Sequence, residues 1–519
     1  MTEIRLDGER LEVPEGALLR DIIPGHPKEC SVAVIRPADT TSAATRNVRV
    51  TTTAGEVIIE VTDEIPSFLQ DFINAGVPDT GTDPDILILK WADRQAASFG
   101  PFTADAIPEK SPHRYNRGDV ILGCGGYDPG QSYLLFSKAP HIADHGAAKG
   151  GGIIGKVVSG MSVLEEWKPK DAIVSMERIV QSADASNAFT TTSRDIVLED
   201  GMSIVTCVRV RGAGYREQDI DITRAQSVEH LLLTYRTSGR YHVSMKASTH
   251  VRDDHMRESE VFYEGQPHSR FEGTITARIS GRNRGSIFIY TNDIAGSPNH
   301  TVVGSVEHGI ELARIANNGE IFLFTVEPKQ FDVRGMALSD AQEIAKKRGI
   351  TLNFDDETGE RVVISQTPGT TLEVLAGNEV SVTTIPSTQV ISIELFDDKA
   401  PLSCYIFRSV TGLRWHEIGE MPLIMQFDDV SLFQPLIKKG TNINKENTPE
   451  ESVPANMLAI TNDNRRSSGL IGCRTSENSE FGPTSEPFEG TNIIGRVCEP
   501  EKLPALKEGS IVYIREVKR

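Results

Sequence analysis

EFGPTSEPFEGTNIIGRV, running from Glu480 to Val497, is the stretch whose reading decides the fold. It is a loop rich in Gly, Pro and Ser that runs into a short strand at Ile493, Ile494 and Gly495. PANMLAITND (Pro454 to Asp463) and GLIGCR (Gly469 to Arg474) precede it, and GSIVYIR (Gly509 to Arg515) follows. All three read as strands. Met457 and Ala459, Leu470 and Gly472, and Ile511 and Tyr513 recur at the two-residue period of a pleated strand.

The same outline occurs twice more. RGSIFIYTND from Arg284 is followed by HTVVGSV from His300 and GEIFLFT from Gly319. Earlier, RGDVILG from Arg117 is followed by SYLLFS from Ser132, GIIGKV from Gly152 and DAIVSM from Asp171. Each copy extends backwards to an alternating strand, an apolar run and a Gly at a helix C-cap position. The openings are EVIIEV at Glu56, DIDIT at Asp219 and ISIELF at Ile391, with caps at Gly76, Gly239 and Gly412. Three divergent copies of one module follow, over residues 48–181, 200–327 and 388–517. The last copy, with its FGPT(x)EP loop before a Gly-Arg-Val strand, resembles the C-terminal half of a cyclophilin-type β-barrel. The expected class is therefore a β-rich multidomain (α+β) chain.

Two further segments complete the chain. Ile4 to Val13 is a hairpin turning on Asp7-Gly8, followed by a short helix from Ala17 to Ile23 and a strand at Ser31 to Ile35. Residues 1–47 resemble a β-grasp domain of the sulfur-carrier type. Carrier chemistry needs a free C-terminal Gly-Gly and is excluded, because the chain continues. Residues 182–199 read as a Ser/Thr/Asp-rich linker. In 329–386, Ser339 and Gln342 form a capping box for a helix from Asp340 to Arg348, stopped at Gly349. Strands at Ile350 to Phe354, Val362 to Gln366 and Val380 to Thr384 follow, and this segment resembles a PASTA domain.

The chain has 519 residues, 38% hydrophobic and 24% charged, with a net charge of −19. Non-specific nucleic-acid binding needs a basic surface and is disfavoured. No run of about 18–20 apolar residues is present, and the start has no signal-peptide core, so a cytoplasmic location is expected. Cys30, Cys124, Cys207, Cys404, Cys473 and Cys498 are dispersed, which fits a reducing compartment. Cys473 and Cys498 flank the last loop, and burial as core residues is the favoured reading of these thiols. His141 and His145 have i,i+4 spacing. Pro140 and the run Gly146 to Gly152 favour a loop there, and a metal needs three or four ligands, so none is assigned to them. His242, His250, His255 and His268 share no period and read as loop residues. No P-loop, G-x-S-x-G or C-x-x-C is present.

The cyclophilin resemblance implies a catalytic Arg in an F-H-R segment with M-I-Q beyond it. A fixed cation there stabilises the twisted amide, whose rotation barrier is ~18–20 kcal/mol. Here the matching run is Trp415, His416, Glu417, followed by Met425 and Gln426. Tyr241-His242-Val243 and Trp91-Ala92-Asp93 hold the place in the other copies. A carboxylate cannot replace a guanidinium. No catalytic residue is assigned, and the five residues from Trp415 to Gln426 are expected to line a groove that binds an extended partner segment.

Over nearly its whole length the chain is similar to the methanogenesis marker protein 3 family of methanogenic archaea. The carrying features are IRLDGERLEVPEGALLRDI at Ile4, the PASTA-like insert, and GLIGCRTSENSEFGPTSEPFEGTNIIGRV at Gly469. The resemblance implies a subunit of the ATP-dependent assembly that activates methyl-coenzyme M reductase. It also implies partners that carry an ATPase, iron–sulfur clusters and the nickel cofactor F430, with no cofactor in this chain itself. A working prolyl isomerase, and a subunit that ligates a cluster or metal, are the alternatives.

Overall fold

The computed structural model describes residues 1–36, 47–62, 65–75, 87–178, 187–217, 219–236, 238–262, 269–437 and 441–517. The chain divides into two compact units, Met1–Gln330 and Phe331–Arg519. The expected cap at Gly76, residues 182–186 of the expected linker, and His268 lie outside the described residues. Among the described residues no helix is long and apolar enough to cross a membrane.

In the second unit, seven strands close into a barrel. In chain order they are Val390–Leu395, Gly419–Phe427, Val430–Phe433, Met457–Thr461, Ile471–Arg474, Thr491–Val497 and Ile511–Glu516. Writing them a to g, the order around the barrel is a-f-d-e-c-b-g, and g returns to a in parallel. Alternation drives the closure. Ile391, Ile393, Leu423, Leu458, Ile494 and Val512 are buried together in the barrel core. The helix Pro401–Thr411 plugs one end with Cys404 and Phe407 and stops at Gly412, whose φ is +87°.

The first unit holds the same strand order twice. Its C-terminal copy contains Cys207–Gly212 (a), Arg240–His242 and Met245–Lys246 (a broken b), His250–Asp253 (c), Thr274–Arg278 (d), Ile287–Tyr290 (e), His300–His308 (f) and Ile321–Glu327 (g). Its sheet runs b-g-a-f-d-e-c and ends on the second piece of b. The preceding copy uses Gly55–Val61 (a), Leu89–Ala92 (b), Ala96–Phe102 (c), Asp119–Cys124 (d), Ser132–Ser137 (e), Ile153–Ser159 (f) and Ile173–Arg178 (g). It carries one additional strand, Asn47–Thr52, between g and a, and a bridge between Ile88 and Ala172 brings b back to g. The second copy opens on Cys207–Gly212 and not on Asp219 to Thr223. Asp221 instead caps a 3-10 turn, Ile222–Arg224, that leads into the helix Ala225–Tyr235.

The N-terminal domain corrects the expected 1–47 boundary. Its sheet contains Thr2–Leu6, Glu9–Val13 and Val32–Ile35, and also Ala188–Thr191 and Ser203–Val205. Numbered 1 to 5 in chain order, these lie 2-1-5-3-4, with strands 1 and 5 parallel. The first barrel is thus inserted between strands 3 and 4. Part of the expected linker instead forms strand 4, Ala188–Thr191, which lies at the sheet edge and is only half-buried along its length. Met202 and Ile204 are fully buried against Ile4 and Val34. The hairpin turn falls as expected on Asp7 and Gly8, at φ +48° and +91°.

In the PASTA-like segment the helix is Leu338–Lys347, and Ala337 at its N-cap makes no side-chain bond, so the expected capping box is not formed. A second short helix, Thr371–Gly377, follows. The three strands are Thr351–Phe354, Arg361–Thr367 and Glu379–Pro386.

Candidate functional site

The outer face of the third barrel is where the sequence places its groove. Strand Gly419–Phe427 has Gly419, Met421 and Leu423 inward and Glu420, Pro422 and Ile424 outward. Its register against Val430–Phe433 shifts between Leu423 and Met425. That bulge turns Met425 outward beside Ile424, leaving them 49% and 42% exposed. Gln426 donates from Nε2 to the Leu503 carbonyl at 2.8 Å and to Ser431 Oγ at 3.1 Å. Its backbone N–H donates to Glu508 at 2.6 Å.

Trp415, His416 and Glu417 are not on this strand. They lie in the turn between the helix Pro401–Thr411 and Gly419. Within the strand, Gly419 and Met425 stand roughly 20 Å apart at ~3.3 Å per residue, and Trp415 to Glu417 lie beyond its Gly419 end. His416 Nδ1 faces Asp332 Oδ2 of the PASTA-like domain at 2.9 Å. Arg334 donates to the other oxygen of Asp332 from Nε at 2.8 Å. The Asp332 side chain is 2% exposed. Burial opposes its ionisation, but the bonds from His416 and Arg334 prevail and hold the carboxyl well below the usual range. A Cβ on Gly335 would lie 2.7 Å from that of Glu417, and Arg515 donates to the Gly335 carbonyl. The turn therefore docks a neighbouring domain. Sequence reasoning missed Asp332, whose one local signal is the D-x-R spacing in FDVRG.

Residues 415–427 contain neither Lys nor Arg. Arg414, just before them, is stacked on Tyr405 at 4.4 Å and Trp415 at 4.8 Å. The exposed side chains of the strand itself, Glu420, Pro422, Ile424, Met425 and Phe427, are apolar or acidic. The loop from Glu480 is rigidly seated, and a Cβ on Gly472 would lie 2.3 Å from the Pro483 carbonyl oxygen. Such a surface can hold an extended apolar segment, but it offers no fixed cation to a twisting amide. At the corresponding strands of the other barrels, His242 is exposed after Arg240, and Trp91 is 39% exposed. His242 and His250 lie on strands and not in loops.

Among the described residues no three His, Cys, Asp or Glu side chains converge. Cys473 is buried in the third core while Cys498 is exposed beyond it, and both are free thiols. Burial pushes Cys404 and Cys473 up to about 12. His141 and His145 do come together, with Nε2 atoms 3.1 Å apart. They sit on a strand and the loop beyond it, His141–Ala143, and not on a helix. Burial, and then the neighbouring His141, hold His145 below its ordinary value.

Residues 391–517 match the family model described as "Putative peptidyl-prolyl cis-trans isomerase domain", and residues 332–385 match that of the PASTA domain. Among solved structures, a cyclophilin type peptidyl-prolyl cis-trans isomerase of Cryptosporidium parvum aligns at 15% identity and a TM-score of 0.19, over 27% of this chain and 99% of that one. The Mimivirus cyclophilin aligns at 12% and 0.19, over 29% and 97%. The UPF0288 protein of Methanosarcina barkeri is 34% identical over 435 residues, 83% of this chain and 82% of the relative. That of Methanosarcina acetivorans is 30% identical over 99% of this chain and 97% of its own. That of Methanothermobacter thermautotrophicus is 28% identical over 99% and 98%. With near-complete coverage from end to end, including the interrupted N-terminal sheet and the PASTA domain, the chain belongs to the UPF0288 family of methanogen proteins.

Proposed function

We propose that this chain is a non-catalytic assembly subunit of the ATP-dependent complex that activates methyl-coenzyme M reductase in methanogenic archaea. One observation carries the non-catalytic part. The outward face of Gly419–Phe427 has no cation, and the turn that would supply one is engaged with Asp332. The methanogen setting is supported by the organisms of its relatives, and the particular complex by the family resemblance. On this reading the ATPase, the iron–sulfur clusters and F430 belong to partner subunits. The interlocked modules of this chain supply docking surfaces. Its net charge of −19 suits protein partners better than nucleic acid. The test is affinity purification of the tagged chain from cells under anoxic conditions. Co-purification with the reductase and an ATPase is expected. Recovery with nucleic acid and no protein partner overturns the proposal.

A second reading is a peptidyl-prolyl isomerase, favoured by the family model that matches the third barrel. It requires a cation from outside residues 415–427. A protease-coupled proline-peptide assay separates the two.

A further inference from the structure

An excursion of the first barrel builds a small imidazole site. Strands His113–Tyr115 and His141–Ala143 form a two-stranded ribbon, in which Tyr115 stands opposite His141. Residues opposite one another in a ladder share a face, and the Tyr115 ring lies against both histidines, its centroid 5.3 Å from His141 and 5.1 Å from His145. Tyr115 is fully buried and donates its hydroxyl to the Gly151 carbonyl at 3.1 Å. The two imidazoles therefore rest on a fixed floor.

The hydrogen bonds define the protons. His141 Nδ1 lies 2.9 Å from the Ala139 carbonyl oxygen. A carbonyl only accepts, so Nδ1 carries the hydrogen and Nε2 turns its lone pair toward His145. A metal-ligating imidazole commonly donates its other N–H to a carbonyl or carboxylate, which fixes tautomer and ring orientation. His141 already has that partner. With metal–nitrogen bonds of about 2.0–2.1 Å, two nitrogens on one ion are about 3.3 Å apart in tetrahedral geometry and about 2.9 Å at a right angle. The observed 3.1 Å lies between these.

We propose that His141 and His145 hold one divalent transition-metal ion of the zinc, nickel or copper class through their Nε2 atoms. Imidazole ligands suit those metals. Binding moves the His145 proton from Nε2 to Nδ1, which frees the second lone pair. No third His, Cys, Asp or Glu converges among the described residues, so the remaining positions belong to water or to a ligand brought by a partner. The ion is exchangeable and not a structural staple. This assignment does not depend on the scaffold reading.

The test uses the full chain, stripped with chelator. Zinc(II) alone is titrated by calorimetry, and copper(II) alone is added at one equivalent for pulsed electron paramagnetic resonance. One zinc per chain is expected, with affinity falling at least tenfold in His141→Gln and in His145→Gln. The copper signal is expected to show two equatorial imidazole nitrogens, a readout that needs no variant to fold. No zinc binding by the wild-type chain overturns the proposal. So does unchanged binding in both folded variants, or a copper spectrum from a single imidazole or the terminal amine only.

Discussion

The imidazole of His416 and the carboxylate of Asp332 meet at 2.9 Å across 84 residues of chain, and their contact fastens the PASTA domain to the third barrel. Around it, Val362, Val390 and Ile418 are buried together. Gly335 lies against Glu417, where a Cβ would overlap. A segment that resembles a catalytic motif in sequence is here a joint between domains.

Asp332→Asn is expected to destabilise the full chain by about 2–3 kcal/mol at neutral pH, because Arg334 and His416 lose a buried anion. The sign with pH follows from the lowered carboxyl. Its contribution is present above the ordinary carboxylate range, from about pH 4 upward, and is lost as pH falls through the lower folded value. Denaturant titrations from pH 7 to pH 2 should show a steeper loss in wild type than in the variant. Parallel curves would remove Asp332 as the source.

The thiols should react in a fixed order. Cys498 is exposed, whereas Cys404 and Cys473 are buried and pushed up to about 12. Brief iodoacetamide treatment at pH 8, read by peptide mass spectrometry, should label Cys498 first. It should leave Cys404 and Cys473 unmodified until denaturant is added. Early labelling of Cys473 would contradict the barrel packing.

Gly472→Ala should unseat the loop from Glu480. The added methyl meets the Pro483 carbonyl at 2.3 Å, and overpacking of this kind costs about 1–3 kcal/mol. Hydrogen exchange should accelerate at Gly482 and Ser485, whose amides donate within the loop. Unchanged protection there would show that the loop is held elsewhere.

Proline isomerisation by the wild-type chain should not exceed the uncatalysed rate. Glu420→Arg, which puts a cation on the outward face of strand Gly419–Phe427, should add little, since no supporting shell orients it. Robust activity in wild type would sink the scaffold reading.

The barrels were legible because their information is local. Arg284 to Asp293 and Pro454 to Asp463 carry the period-two pattern and turn chemistry that make a strand wherever they lie. The N-terminal sheet was not legible, because its fourth and fifth strands are supplied by residues 188–191 and 203–205. Nothing near Thr190 announces that Ala33 is its partner. The setting of the groove residues was hidden for a related reason. Trp415 to Glu417 occupy the place of a motif and share its central His, but Gly412 ends the helix and Gly419 opens the strand, so these residues fall in the turn between. His141 and His145 show the reverse case. Their neighbours Pro140 and Gly146 favour a loop that assigns them no shared role, yet a short strand and loop over Tyr115 bring their nitrogens together.

The interrupted N-terminal sheet also has a consequence for biosynthesis. Ser203–Val205 lies between Thr2–Leu6 and Val32–Ile35, and the amide of Arg36 reaches the carbonyl of Asn187 at 2.8 Å. A ribosome moving at ~5–20 residues per second needs roughly 10–30 s to pass from the third strand to the fifth. During that interval the nascent chain can complete a whole barrel, while Ile4 and Val34 wait for their cover. The first strands made are thus locked only after the first barrel has been synthesised. A chaperone that shields the nascent N-terminus, or a pause before residue 205, would act while that sheet is still open.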